Sequence, residues 1–144
     1  MKLIDVSNLK KLGSGCECNV YALNDNEVIK CFKKNSWVRK ETCTDAEDVW
    51  LAHQKLAELG LANPVGELVH WTKKTPKRVF SGEGYICAKV KTVFGMEYES
   101  KMLKKLAKHN IKLVDVHFHN CGLYKNKLVL IDVGYDALQI LEQV

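Results

Sequence analysis

One helix signal set between two strand-rich stretches constrains the fold of this chain more than any other feature. Thr44 reads as a helix N-cap, and Glu47 three residues later completes a capping box. Val49, Ala52 or His53, Leu56 and Leu59 recur at helical spacing, and Gly60 ends the run. On both sides the apolar runs have strand length. Residues 1–34 read as a β meander: 9–12 leads into Gly13-Ser14-Gly15, 20–23 follows, and Asn24-Asp25-Asn26 turns into 28–32. Residues 33–43 are polar and read as a loop. Downstream, 67–72 and 79–80 flank a basic turn at 73–78, Ser81-Gly82-Glu83-Gly84 reads as a further turn, and 84–90 as the next strand.

The C-terminal part alternates differently. Gly95 precedes a helix over about 96–108, with Met96, Met102, Leu103, Leu106 and Ala107 on one side and Glu97, Lys101, Lys104, Lys105 and Lys108 on the other. Residues 123–130 read as a hairpin with Lys125-Asn126-Lys127 at its tip, and 136–144 as a short terminal helix. No repeat, low-complexity tract or linker divides the chain. The expectation is one α+β domain over 1–144, with an antiparallel sheet and one helix in its first part.

Composition excludes several classes. Lys and Arg number 22 against 17 Asp and Glu, a net charge of +5, which suits anionic phosphates and is too weak to argue for nucleic acid. Aromatic residues are 8% of the chain, and no basic–aromatic platform for stacking bases stands out. The start carries an acid at Asp5 and no long apolar run, so neither a signal peptide nor a membrane span is expected. A cytoplasmic setting follows as an expectation, with the six cysteines as reduced thiols.

The chemistry-bearing residues gather in the last third. Asp115 precedes Asn120 by five residues, and an apolar run over 128–131 delivers Asp132 into Asp132-Val133-Gly134. Two carboxylates and an amide so spaced match the D-x-x-x-x-N and D-F-G positions of phosphoryl-transfer sites. Upstream, Gly13-Ser14-Gly15-Cys16-Glu17-Cys18-Asn19-Val20 compares with G-x-G-x-x-G-x-V, although Cys18 replaces the third glycine. Glu27-Val28-Ile29-Lys30 compares with V-A-I-K. The helix opening at Thr44 stands where the lysine's carboxylate partner is carried. Taken in order, these stations resemble the protein-kinase-like superfamily, with a catalytic loop similar to its atypical and aminoglycoside-phosphotransferase branch.

That resemblance implies a kinase-like fold: an N-terminal antiparallel sheet lobe with one helix and a hinge over 1–91, and a reduced C-terminal lobe over 92–144. It implies ATP and Mg²⁺ as cofactors. Gly13, Ser14 and Gly15 would approach the phosphates, and Lys30 would pair them. Glu47 would hold Lys30, with Asp48 and Glu41 as alternatives. Val20 and Ala88 would wall the purine, and Lys89 and Lys91 would offer it main-chain contacts. Asp115 would orient the acceptor hydroxyl with His117 beside it, and Asn120 and Asp132 would hold the metal. The implied activity is transfer of the ATP γ-phosphoryl group to a hydroxyl, of a protein serine or threonine. The alternative is a nucleotide-binding or inactive pseudokinase that docks on a partner protein.

Only ten residues follow Gly134, where a full kinase continues with several helices. The apolar stripe of the 96–108 helix therefore needs cover from the terminal segment, from a second copy in a homodimer, or from a protein substrate or partner. A zinc site is a competing reading: Asp115, His117, His119 and Cys121 would share one face if 115–121 were a strand.

Overall fold

The computed structural model describes residues 1–14, 18–33, 46–112, 116–133 and 137–144. Gly15, Glu41, Thr44 and Asp115 lie outside the described residues, as does all but Lys33 of the loop expected over 33–43. In chain order the elements are β1 (Leu3–Asp5), β2 (Lys11–Ser14), β3 (Cys18–Ala22), β4 (Glu27–Phe32), α1 (Ala46–Glu58), β5 (Val65–Lys74) and β6 (Val79–Ala88). There follow β7 (Lys91–Thr92), α2 (Met96–Ala107), β8 (Cys121–Tyr124), β9 (Lys127–Leu130) and α3 (Ala137–Gln143). The fold is α+β. A six-stranded sheet runs β1-β5-β6-β4-β3-β2, and a three-stranded sheet runs β7-β8-β9.

The larger sheet is mixed, which corrects the antiparallel expectation. β1 lies parallel to β5 with Ile4 opposite Trp71, while the other pairings in that sheet are antiparallel. The cause is burial of Ile4 and Val6, which pack with Val69 and Trp71 and draw the N-terminal segment along the sheet edge. The turn expected at residues 81–84 is also corrected. β6 runs through it unbroken, with Gly84 opposite Val69 and Gly82 opposite Trp71. A Cβ on Gly84 would stand 2.1 Å from the Lys30 carbonyl oxygen, so this glycine serves the close approach of β4 rather than a bend.

Both faces of the large sheet are buried, and β4 shows how the sequence achieves it. Side chains alternate across a strand. Ile29 and Cys31 enter a cluster with Ile4, Val6, Tyr21, Val69, Trp71 and Ile86. Val28 and Phe32 enter the larger core on the opposite face, where α1 and α3 pack. Val49, Ala52, His53 and Leu56 form the buried stripe of α1, and Leu59 is exposed. Gly60, at φ +75°, stops the helix, with the Gly60 and Leu61 amides donating to the carbonyls of Ala57 and Leu56.

The three-stranded sheet shares that larger core through Cys121 and Leu130, and Val133 beyond β9 joins it. Its hairpin turns at Lys125 and Asn126, both with positive φ, as the tip expected at 125–127 requires. The Leu130 amide donates to the Leu61 carbonyl (2.8 Å), tying β9 to the end of α1. The α2 stripe divides. Met102 and Leu106 are buried against the β8–β9 hairpin, whereas Met96 (73%) and Leu103 (48%) are exposed. The terminal helix α3 packs along α1. Among the described residues, no helix is long and apolar enough to cross a membrane.

Candidate functional site

Strand register builds the centre of the site. Val20, Lys30, Tyr85 and Leu68 stand opposite one another across β3, β4, β6 and β5. All four belong on the helix-facing side, where apolar residues fill the core. Lys30 is the exception in that row: a cation, 7% exposed. A buried ammonium is costly without partners, and Lys30 has them. Its Nζ donates to the Ile131 carbonyl and lies 5.7 Å from the centre of the Tyr85 ring. Burial by itself pushes Lys30 towards neutrality. The adjoining Tyr85 oxygen and the Asp132 carboxylate outweigh it, and the ammonium is held above its usual range.

The segment carrying Asn120 and Asp132 converges on the same point. A short 3₁₀ turn, Phe118–Asn120, leads into β8, and its Asn120 amide donates to the His117 carbonyl (2.9 Å). Returning along β9, the Ile131 amide donates to the Asn120 carbonyl (2.8 Å). One residue thus touches both sides of the site, since Ile131 N–H holds Asn120 and Ile131 C=O holds Lys30. Asp132 follows directly and is exposed. Glu99 of α2 anchors the front of the segment: its Oε1 accepts from the Phe118 amide (3.2 Å) and lies 3.9 Å from His117 Nδ1.

Beside Lys30 runs a buried polar chain that reaches the end of β6. Asn63 Nδ2 donates to the Ala88 carbonyl (2.7 Å), which turns Asn63 Oδ1 towards His53 Nε2 (2.8 Å). An amide oxygen only accepts, so the His53 proton sits on Nε2. Nδ1 then accepts from the Tyr85 hydroxyl at 2.8 Å. His53, Asn63 and Tyr85 are all essentially inaccessible to solvent. Burial, reinforced by the Lys30 charge, pushes the His53 imidazole down to about 3, so it is neutral at pH 7. Burial likewise raises the Tyr85 phenol beyond its ordinary range, with Lys30 opposing.

The remaining expected residues are placed as follows. Gly13 pairs with Val20, and Ser14 with Asn19, where Ser14 Oγ donates to Asn19 Oδ1 (2.8 Å). Ala88 ends β6, its amide donating to the Pro64 carbonyl (2.9 Å). The Lys89 amide, expected to face a purine, donates instead to the Asn26 carbonyl (2.8 Å). Lys91 lies in β7 opposite Leu123. Ala88, Lys89 and Lys91 line an open depression of about 570 Å³ with Tyr124 and Lys125, a size within the range of small-molecule sites. Lys30 is not among its lining residues.

Glu47 lies in the first turn of α1 and is exposed, while Lys30 is buried. Among the described residues no ion pair joins them. The helix therefore reaches the neighbourhood of Lys30 through His53, a residue whose position on the apolar stripe was the available sequence signal for a buried polar partner. The zinc reading loses its geometric premise. His117 to Cys121 pass through a 3₁₀ turn and do not alternate as a strand. Among the described residues no group of three or more His, Cys, Asp or Glu side chains could hold a metal. Burial also pushes the Cys121 thiol up to about 11. Cys18, Cys31, Cys87 and Cys121 are free thiols.

No protein-family model matches the chain, and no curated protein matches it.

Proposed function

We propose that the chain is a kinase-like phosphotransferase that binds ATP with Mg²⁺ and transfers the γ-phosphoryl group to a hydroxyl of a protein serine or threonine. The observation that carries this reading is the meeting of Lys30 with the Asn120–Asp132 segment through the backbone of Ile131, across 101 positions of sequence. A buried lysine kept charged beside a carboxylate is the arrangement that phosphate recognition needs. The fold supports the same reading in its element order: a glycine-containing hairpin, a lysine strand, one helix, two long strands, then a helix and a β hairpin.

The residues present suit a magnesium ion shared with a nucleotide. Such an ion takes one or two protein oxygens and completes its shell with phosphates and water. Asn120, half-buried, and Asp132, exposed, supply an amide and a carboxylate on either side of the Ile131 link. When bound, Mg²⁺ would neutralise charge on the transferring phosphoryl group. Lys30 would steady the α- and β-phosphates. Asp115 would orient the acceptor hydroxyl and take its proton.

The test is transfer of radiolabel from γ-labelled Mg·ATP to the protein itself and to serine- and threonine-bearing acceptor proteins. Wild type is expected to give label, and Lys30→Met and Asp132→Asn to lose about 10²-fold or more in rate, as removal of one stabilising group does elsewhere. Absence of transfer with every acceptor contradicts the catalytic reading. Nucleotide binding without transfer would favour the docking pseudokinase.

A further inference from the structure

We propose that Tyr85 and His53 are positioning residues that tie α1 to Lys30 by a neutral hydrogen-bonded relay, in place of the Glu47 carboxylate. The inference rests on the reading of Lys30 as the phosphate-binding lysine and names what holds it. Two observations carry it. The lysine's partners on the sheet side are the Ile131 carbonyl and the Tyr85 ring, while Glu47 is exposed and unpaired with Lys30. The buried chain from Tyr85 through His53 and Asn63 to Ala88 is complete, with links of 2.8, 2.8 and 2.7 Å.

Completeness fixes direction as well as distance. Asn63 can offer His53 only an oxygen, so Nε2 donates and Nδ1 accepts. Tyr85 must then give its proton to His53, and the phenol ring is held in one orientation by a donor–acceptor pair buried on both sides. A second edge contact reinforces it, since the His53 and Tyr85 rings meet at 88° with centroids 5.5 Å apart. Phe32 stacks on Tyr85 at 5.8 Å from another direction. The ring is thus clamped by α1 and β4, and Lys30 lies over the clamped ring. An ion pair from helix to lysine would titrate and respond to salt; this link does neither near neutral pH. Movement of α1 would reach Lys30 through His53 and Tyr85, and the same relay fixes the Ala88 carbonyl at the end of β6.

The experiment reads Lys30 and the relay directly by NMR, with nucleotide affinity as a separate arm. In wild type, the His53 ring is expected as the neutral Nε2–H tautomer; an Nδ1–H tautomer or a charged ring at pH 7 overturns the relay. In Tyr85→Phe, which keeps the ring and removes only the hydroxyl, and in His53→Gln, hydrogen exchange of the Lys30 ammonium is expected to quicken about tenfold, the effect of one buried hydrogen bond. Unchanged exchange in a folded variant overturns the positioning role. Mg·ATP affinity is expected to weaken in both variants and not to weaken further when either is combined with Lys30→Met. Equal losses with and without Lys30 would mean a general structural effect and also overturn it. Should wild type bind no Mg·ATP while ammonium exchange responds as stated, the phosphotransferase reading fails and the relay stands.

Discussion

Acidification from pH 7 to pH 5 should destabilise this protein through one residue, and the size of the effect follows from His53. Its imidazole is buried, hydrogen-bonded as a neutral ring to Tyr85 and Asn63, and held near 3. In the unfolded chain it titrates at its ordinary value of about 6.5. Between those values the unfolded state takes up a proton that the folded state refuses, so stability falls as pH falls. The slope approaches about 1.36 kcal/mol per pH unit. Integrated from pH 7 to pH 5, the loss is about 2 kcal/mol, a large fraction of the roughly 5–15 kcal/mol typical of a domain. The carboxylate of Asp5, lowered by its hydrogen bonds to Ser7, contributes only as pH falls through the usual Asp value of 3.8, below this window. The other four histidines are exposed. The assay is denaturant unfolding at both pH values for wild type and His53→Gln. Wild type should lose about 2 kcal/mol and the variant under about 0.5 kcal/mol. Equal stability of wild type at the two pH values would refute the buried neutral histidine.

Three further outcomes follow from single contacts. Gly84→Ala places a Cβ against the Lys30 carbonyl with no room to shift, so at least about 3 kcal/mol of stability should be lost and soluble yield should fall sharply; a melting temperature near that of wild type would show that β4 and β6 are not so closely apposed. Glu99→Ala removes the carboxylate that holds the Phe118 amide, with an expected cost of about 1 kcal/mol and faster amide exchange across 116–120; unaltered exchange there would dismiss Glu99 as an anchor. Phe94 (83% exposed), Met96 and Leu103 leave apolar surface around α2. If that surface mediates self-association, Leu103→Glu should abolish concentration-dependent sedimentation, and a wild type that is monomeric at all concentrations removes the homodimer.

Local order was legible in the sequence, and long-range apposition was not. Gly60 announced the end of α1 because φ > 0 favours glycine there, and Asn126 marked the hairpin tip because asparagine tolerates the same region. Gly82 and Gly84 were misleading, because a glycine that admits a neighbouring strand looks like one that makes a turn. Only the partner strand distinguishes them. The parallel placement of β1 had no signal beyond three residues of alternation. Within the candidate site, Lys30, Asn120 and Asp132 stood out as residue types at motif spacing, but Lys30 and Asn120 are joined through the main chain of Ile131, which carries no side-chain signature. The expected pairing of Lys30 with Glu47 overlooked that His53 sits on the inward face of α1 and Glu47 does not.

Binding of Mg·ATP at Lys30, Asn120 and Asp132, as proposed, is open to a thermal melt. A ligand at 100 times its dissociation constant stabilises the folded state by about 2.7 kcal/mol. In a chain of this size that corresponds to an upward shift on the order of 5–10 °C. Wild type with saturating Mg·ATP should show that shift, and Asp132→Ala should show little of it relative to its own unliganded melt. An unshifted wild type, or an equal shift in Asp132→Ala, would contradict the site.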